Sequence, residues 1–142
     1  MLKAVGDFAG VDRSYVFIFS EDEKTMSNTH EWCAEGVSPE IDMLQDLSVK
    51  EFSWIVSQLK AGANINITNL EDLPPAAAPE KEILKAQDII SVAIVPLIYA
   101  GRLQGYLGFA STHNQVFWSE ENFLLFRTIG NAIINALTRG RL

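Results

Sequence analysis

The stretch "IISVAIVPLIYAGRLQGYLGFAS", residues 89–111, constrains the fold more than any other part of the chain. It holds two runs rich in β-branched and aromatic residues, "IISVAIVPLIY" and "RLQGYLGFAS", separated by Ala100-Gly101. A tight turn between such runs predicts a β-hairpin. The first run is apolar at successive positions, so neither of its faces suits water and its sheet must be covered on both sides. Pro96 has no N–H to offer a ladder, which predicts a bulge or an edge there. Gly101, Gly105 and Gly108 lack the Gly-x-Gly-x-x-Gly spacing of a dinucleotide site, and Gly105 and Gly108 are instead places where other atoms approach the strand closely.

Around this hairpin the remaining elements follow from periodicity. "DRSYVFIFS", residues 12–20, is too continuously apolar to have a wet face and predicts a central strand, followed by the polar turn "EDEK". A second strand runs from Met26 to Ala34. Alternation places Met26, Asn28, His30, Trp32 and Ala34 on one face, and Ser27, Thr29, Glu31, Cys33 and Glu35 on the other. "VSPEIDMLQDL" is a loop long enough to form a lid or pocket wall. Phe52, Ile55, Val56 and Leu59 recur at helical spacing up to Gly62, with Trp54 outside the main stripe. "ANINIT" alternates like a short strand, and the proline-rich "EDLPPAAAP" connects it to a brief helix, Pro79 to Gln87, whose Glu80 and Glu82 complement the helix dipole.

Both ends predict helices. Leu2, Val5 and Phe8 recur at helical spacing until Gly10, and Ser119 caps a helix that continues to about Arg139. In the latter, Leu125, Ile129, Ala132, Ile133, Ala136 and Leu137, with Phe126 and Ile134, spread over about half the circumference. A stripe of about 100° suffices to pack on the chain's own sheet. The excess predicts cover by the N-terminal helix, by a second copy, or by both; a homodimer through the terminal helices would use Leu2, Val5, Leu125, Ile129, Ala132, Ile133, Ala136 and Leu137.

Several function classes are disfavoured on composition. The chain has 142 residues, 48% of them apolar, enough for one domain, residues 1–142, with a real core. A formal charge of −7 with no basic run argues against nucleic acid. One cysteine permits no intramolecular disulfide, and Cys, His and carboxylates fall in no zinc spacing. The longest apolar stretch, Ile89 to Ala100, is far short of the roughly 20 residues that span a bilayer. The expectation is a cytoplasmic protein without a membrane partner.

The order helix, strand, strand, helix, strand, short helix, hairpin, long helix describes an α+β fold, an antiparallel sheet of five to six strands with helices on both faces. It resembles the GAF domain family over essentially the whole chain. The resemblance is carried by "GVDRSYVFIF", by "SVAIVPLIYAGRLQGYLGF" and by "FWSEENFLLFRTIGNAIINAL"; "EWCAEG" is similar to the second strand of GAF modules from bacterial, notably cyanobacterial, signalling proteins. The resemblance implies a PAS- and profilin-like sheet with long N- and C-terminal helices on one side. It also implies a regulatory module in two-component or cyclic-di-GMP signalling, linked to an output such as a histidine kinase or diguanylate cyclase. Members often bind a small molecule between sheet and lid, and often dimerise through terminal helices.

Departures from specialised branches leave the cofactor unknown. Bilin-binding members attach their chromophore through a cysteine commonly set in a helix beside a histidine, whereas Cys33 falls in a strand. Cyclic-nucleotide members carry an Asn-Lys, Phe, Asp-Glu signature; here Asn114-Gln115 lacks the lysine and Glu120-Glu121 replaces the acid pair. The branch that reduces free methionine sulfoxide uses several cysteines. His30 and His113 are candidate haem ligands only in the abstract, since surface or packing roles account for both.

The candidate site residues are aromatic. Tyr15 and Phe17 share one face of the first strand, and Trp32, Trp54, Tyr106 and Phe109 lie on elements surrounding the sheet. Together they suit a flat or apolar ligand, with Glu31 or Arg13 as polar handles and Cys33 beside them. Core packing explains the same residues without a ligand. A catalytic Cys33 needs a base and a lowered pKa, and its neighbouring glutamates act the other way. The readings carried forward are a non-enzymatic sensory module, a small cysteine-dependent enzyme, and a ligand-free dimerisation module.

Overall fold

In the computed structural model, which describes residues 10–139, the predicted hairpin forms within a six-stranded antiparallel sheet. The strands are β1 (Arg13–Phe19), β2 (Thr25–Cys33), β3 (Leu47–Ser48), β4 (Ile65–Ile67), β5 (Ser91–Tyr99) and β6 (Arg102–Ser111), in the order β3-β2-β1-β6-β5-β4. The hairpin turns at Ala100 and Gly101, with φ of 53° and 75°. Two positive φ values in succession match the twist of the flanking strands, which is why a two-residue turn suffices. β4 stops at Ile65, opposite Ile94, so β5 has an open edge at Pro96, next to a register shift between Leu97 and Ile98. The proline sits where its missing N–H does least harm.

Each sheet face carries its own core. On one face Tyr15, Phe17, Ile94, Val92 and Tyr106 pack under α1 (Ser53–Lys60) and α2 (Ala78–Ala86) through Ile55, Val56, Leu59 and Leu84. On the other, Val16, Ala93, Val95, Leu97, Leu107 and Phe109 pack under α3 (Glu120–Arg139) through Phe123, Phe126, Ile129 and Ile134. Ser119 Oγ accepts the Asn122 N–H while Asn122 Oδ1 accepts the Ser119 N–H, so a reciprocal cap starts α3. Leu2, Val5 and the predicted N-terminal helix lie outside the described residues. Among the described residues no helix is long and apolar enough to cross a membrane.

One expectation is corrected within β2. The register passes from Val16↔His30 to Phe17↔Asn28, leaving Thr29 unpaired as a bulge. A single extra residue inverts the alternation beyond it. Met26 and Asn28 therefore share the lid face with Glu31 and Cys33, whereas Ser27 shares the opposite face with His30 and Trp32. Asn28, 2% exposed, donates from Nδ2 to the carbonyls of Val16 and His30 at 3.0 Å, so a side-chain amide supplies the donor that the interrupted ladder lacks.

Candidate functional site

The lid face forms a closed chamber. Its floor is Tyr15, Phe17, Ile94 and Tyr106 from three strands; its roof is Phe52, Ile55, Leu84 and Gln87 from the helical elements, with Leu44 from the loop that follows β2. The Phe17 and Tyr106 rings stack at 5.0 Å, and Tyr15 meets Phe17 edge-on at 5.6 Å. Gly105 and Gly108 make this arrangement possible. A Cβ at Gly105 would fall 1.9 Å from Phe17 O, and one at Gly108 2.3 Å from the Tyr15 ring. The remaining void is about 10 Å³, close to the space of one water. Burial pushes both phenols up, Tyr15 despite the Arg13 charge, and Tyr106 further through Tyr15 and Glu80.

A buried ionic latch closes one end. Arg13, 2% exposed, donates from Nη2 to Ser38 O at 2.8 Å in the loop and from Nη1 to Gln87 O at 3.1 Å, just past α2. Its Nε lies 3.8 Å from Glu31 Oε2. The Glu31 carboxylate accepts the N–H groups of Glu40 and Ile41 at 3.0–3.2 Å, at the start of the short helical turn Ile41–Met43. The two polar handles named from sequence thus hold the lid to β1. Cys33 Sγ lies 3.9 Å from Ser38 O, and burial followed by the Glu31 charge raises its thiol pKa against the opposing influence of Arg13.

The aromatic residues grouped from sequence are divided by the sheet. Tyr15, Phe17 and Tyr106 line the chamber, and Trp54 on α1 packs beside it. Phe109 lies on the other face, stacked on Phe126 at 4.1 Å. Trp32, opposite Ser14, shares that face and is half-buried. Of the α3 residues named for an interface, Ile129 is buried in the helix-side core, Ile133 and Leu137 are half-buried, and Leu125, Ala132 and Ala136 form an exposed stripe. Sequence reasoning missed Glu80. It is 1% exposed, and its Oε2 accepts the Ile55 N–H at 2.9 Å in the first turn of α1. Its spacing of four from the buried Leu84 was the available signal.

Elsewhere, a groove of about 700 Å³ lies between β4 and the start of α3, lined by Asn64, Asn66, Phe117, Trp118, Phe123 and Arg127 among others. Among the described residues no group of three or more His, Cys, Asp or Glu is placed to hold a metal ion.

A six-stranded antiparallel sheet with a lidded chamber on one face and a long helix on the other defines an α+β domain with two separate cores. Residues 1–137 match the GAF domain family, and the chain belongs to it. It is 30% identical over 150 aligned positions to the methanogenesis regulatory histidine kinase FilI of Methanothrix harundinacea (strain 6Ac), covering all of this chain and 17% of that protein. The chain therefore spans about one-sixth of the length of that relative. Its fold is similar to GAF3 of Slr1393 from Synechocystis sp. PCC6803 in the photoproduct state, with a TM-score of 0.82, 17% identity, and coverage of 99% of this chain and 90% of that one. It is also similar to a domain of a putative two-component sensor histidine kinase protein from Sinorhizobium meliloti 1021, with a TM-score of 0.74, 19% identity, and coverage of 99% and 88%. The two structures share the GAF fold with this chain.

Proposed function

We propose that the chain is a non-catalytic sensory module of a multidomain, cytoplasmic signalling protein, one that takes a small molecule into the chamber and transmits its presence through paired terminal helices to an attached output. The observation that carries this reading is the latch at Arg13. One guanidinium holds both the loop and the end of α2 over an apolar, aromatic-floored space, so the two parts of the lid share a single anchor on β1. The histidine kinase relative supports an output of that class. The exposed stripe of Leu125, Ala132 and Ala136 supports pairing with a second copy. The raised thiol pKa of Cys33 supports a non-catalytic role, since the thiolate is the nucleophile.

A chamber of about 10 Å³ also favours a second reading, a GAF domain that dimerises and relays without a ligand. Thermal denaturation against a panel of metabolites and nucleotides separates the two. A compound that binds only the folded state raises the midpoint in proportion to the logarithm of its concentration, whereas silence across the panel favours the relay. Sedimentation reads the pairing directly, and a monomer at high concentration would sink that half of the proposal.

A further inference from the structure

The roof of the chamber and the long helix α3 lie on opposite faces of the sheet, and their two cores share no residue. They meet at one edge. α1 ends in a glycine-bearing cap: the Gly62 N–H donates to Leu59 O at 3.0 Å and the Ala63 N–H to Gln58 O at 3.1 Å, with Gly62 at a φ of 86°. This paired closure makes residues 61–63 a rigid continuation of the helix, so the Gly62 carbonyl moves with Ile55 and Leu59. From α3, the half-buried Arg127 donates from Nη2 to that carbonyl at 3.0 Å and from Nε to Asn64 Oδ1 at 2.8 Å. Thr128, its neighbour, spends its hydroxyl on Leu124 O inside the helix, and among the described residues no other α3 side chain is hydrogen-bonded to the lid-side elements. β4 follows directly, and Asn66 Nδ2 donates to Trp118 O at 3.0 Å. The strap of residues 62–66 is thus pinned beside the start of α3 and again at Arg127.

We propose that Arg127 is the coupling residue of this module: its guanidinium hooks the C-terminal end of α1 to α3 around the edge of the sheet, so that displacement of the chamber roof is delivered to the long helix. This rests on the sensory reading above and adds the residue through which it acts. The chamber, at about 10 Å³, has room for one water, so a larger guest shifts the roof, of which Ile55 on α1 is part. Gly62 O and Asn64 Oδ1 shift with it, and a planar guanidinium with donors in fixed directions either follows its two acceptors or releases them. Those are the two discrete arrangements a relay requires. The competing route runs through the sheet. There β5 turns Val92 and Ile94 toward the roof and Ala93 and Val95 toward α3, so a shift on one face reaches the other only by moving a strand that β4 and β6 hold from both sides at Val92–Ile94.

Native-state hydrogen exchange on the full chain tests the hook without any ligand. Ile55→Ala loosens α1 over the chamber floor, and it is made both with Arg127 intact and with Arg127→Met, which keeps an unbranched apolar stem and removes the donors. With Arg127 present, Ile55→Ala is expected to speed exchange by about threefold or more at residues 57–64 and at residues 123–131, while β6 is unchanged. With Arg127→Met, the rise at residues 57–64 persists and the rise at residues 123–131 is lost. A purely local structural role for Arg127 would leave the α3 response to Ile55→Ala in place. An equal α3 response in both Arg127 backgrounds, no α3 response with Arg127 present, or a matching rise in β6 would overturn the coupling. Should Ile55→Ala fail to fold, Ile55→Val is read by the same criteria. If the coupling fails while a compound from the metabolite panel stabilises the chain, the hook falls and the sensory reading stands; if the coupling holds while the panel is silent, the hook stands and serves the ligand-free relay.

Discussion

The Tyr15 ring lies directly over Gly108, and a Cβ built on that glycine would stand 2.3 Å from Tyr15 Cε2. The contact sets the floor of the chamber, since Tyr15 is 5% exposed and has Phe17 on its other side. Gly108→Ala is expected to cost about 1–3 kcal/mol by overpacking, measured as the shift in urea midpoint. In a Tyr15→Ala background most of that cost disappears, so the double-mutant cycle gives a coupling of at least about 0.5 kcal/mol. Additive effects would show that the ring does not constrain the glycine. Gly105→Ala, whose Cβ meets the Phe17 carbonyl itself, has no comparable rescue on a side chain.

Removal of the latch is expected to be severe. Arg13→Ala leaves Glu31 buried without its cation and the carbonyls of Ser38 and Gln87 without their donor. Breaking a buried pair in this way costs about 3–5 kcal/mol. Hydrogen exchange should rise at residues 38–44 and around residue 87 before it rises in β5 or β6. Uniform exchange across the sheet would assign Arg13 a global role instead of a lid-specific one.

Cys33 is expected to be sluggish toward alkylating reagents. Burial and then Glu31 raise its pKa, which outweighs the hydrogen bond and charge of Arg13. The pH profile of iodoacetamide modification should therefore rise above the ordinary thiol value of about 8.5. Glu31→Gln should bring the profile down. A midpoint below 7 in the native chain would restore the cysteine to the list of nucleophiles.

Acid stability has an identifiable contributor at Asp12. Burial pushes its carboxyl pKa up, but the N–H of Thr112, the ring of His113 and the hydroxyl of Thr112 together bring it below the ordinary range. The Thr112 N–H donates to Asp12 Oδ2 at 2.7 Å. A folded value below the unfolded one contributes stability above the unfolded pKa, and that stability is lost as pH falls through the folded value. Asp12→Asn should accordingly lower stability at neutral pH and flatten the decline below about pH 4. An unchanged acid limb would place the titrating group elsewhere.

Much of the architecture was legible because backbone periodicity and glycine placement report it directly. The hairpin, its two-residue turn, the bracketing of β1 and the close approach at Gly105 and Gly108 all follow from local residue types. Two features were not. Alternation assumes an unbroken strand, and the unpaired Thr29 moved Glu31 and Cys33 onto the face of Met26 and Asn28 without any marker in composition. Glu80 looked like a dipole-complementing acid at a helix start; only the packing of α1 against α2 turns it inward to cap Ile55. The aromatic set likewise mixed two compartments, although Tyr106 and Phe109, three residues apart on one unbroken strand, must face opposite ways by alternation.

The side-chain amide of Asn28 gives β2 a phase marker. Removing Thr29 would straighten the strand without turning it over: Asn28 and His30 already pair with the adjacent Phe17 and Val16, so Glu31, Trp32 and Cys33 would keep the faces they now hold. The bulge is thus a slack link, a place where the strand can lose a residue while the rim of the chamber keeps its composition.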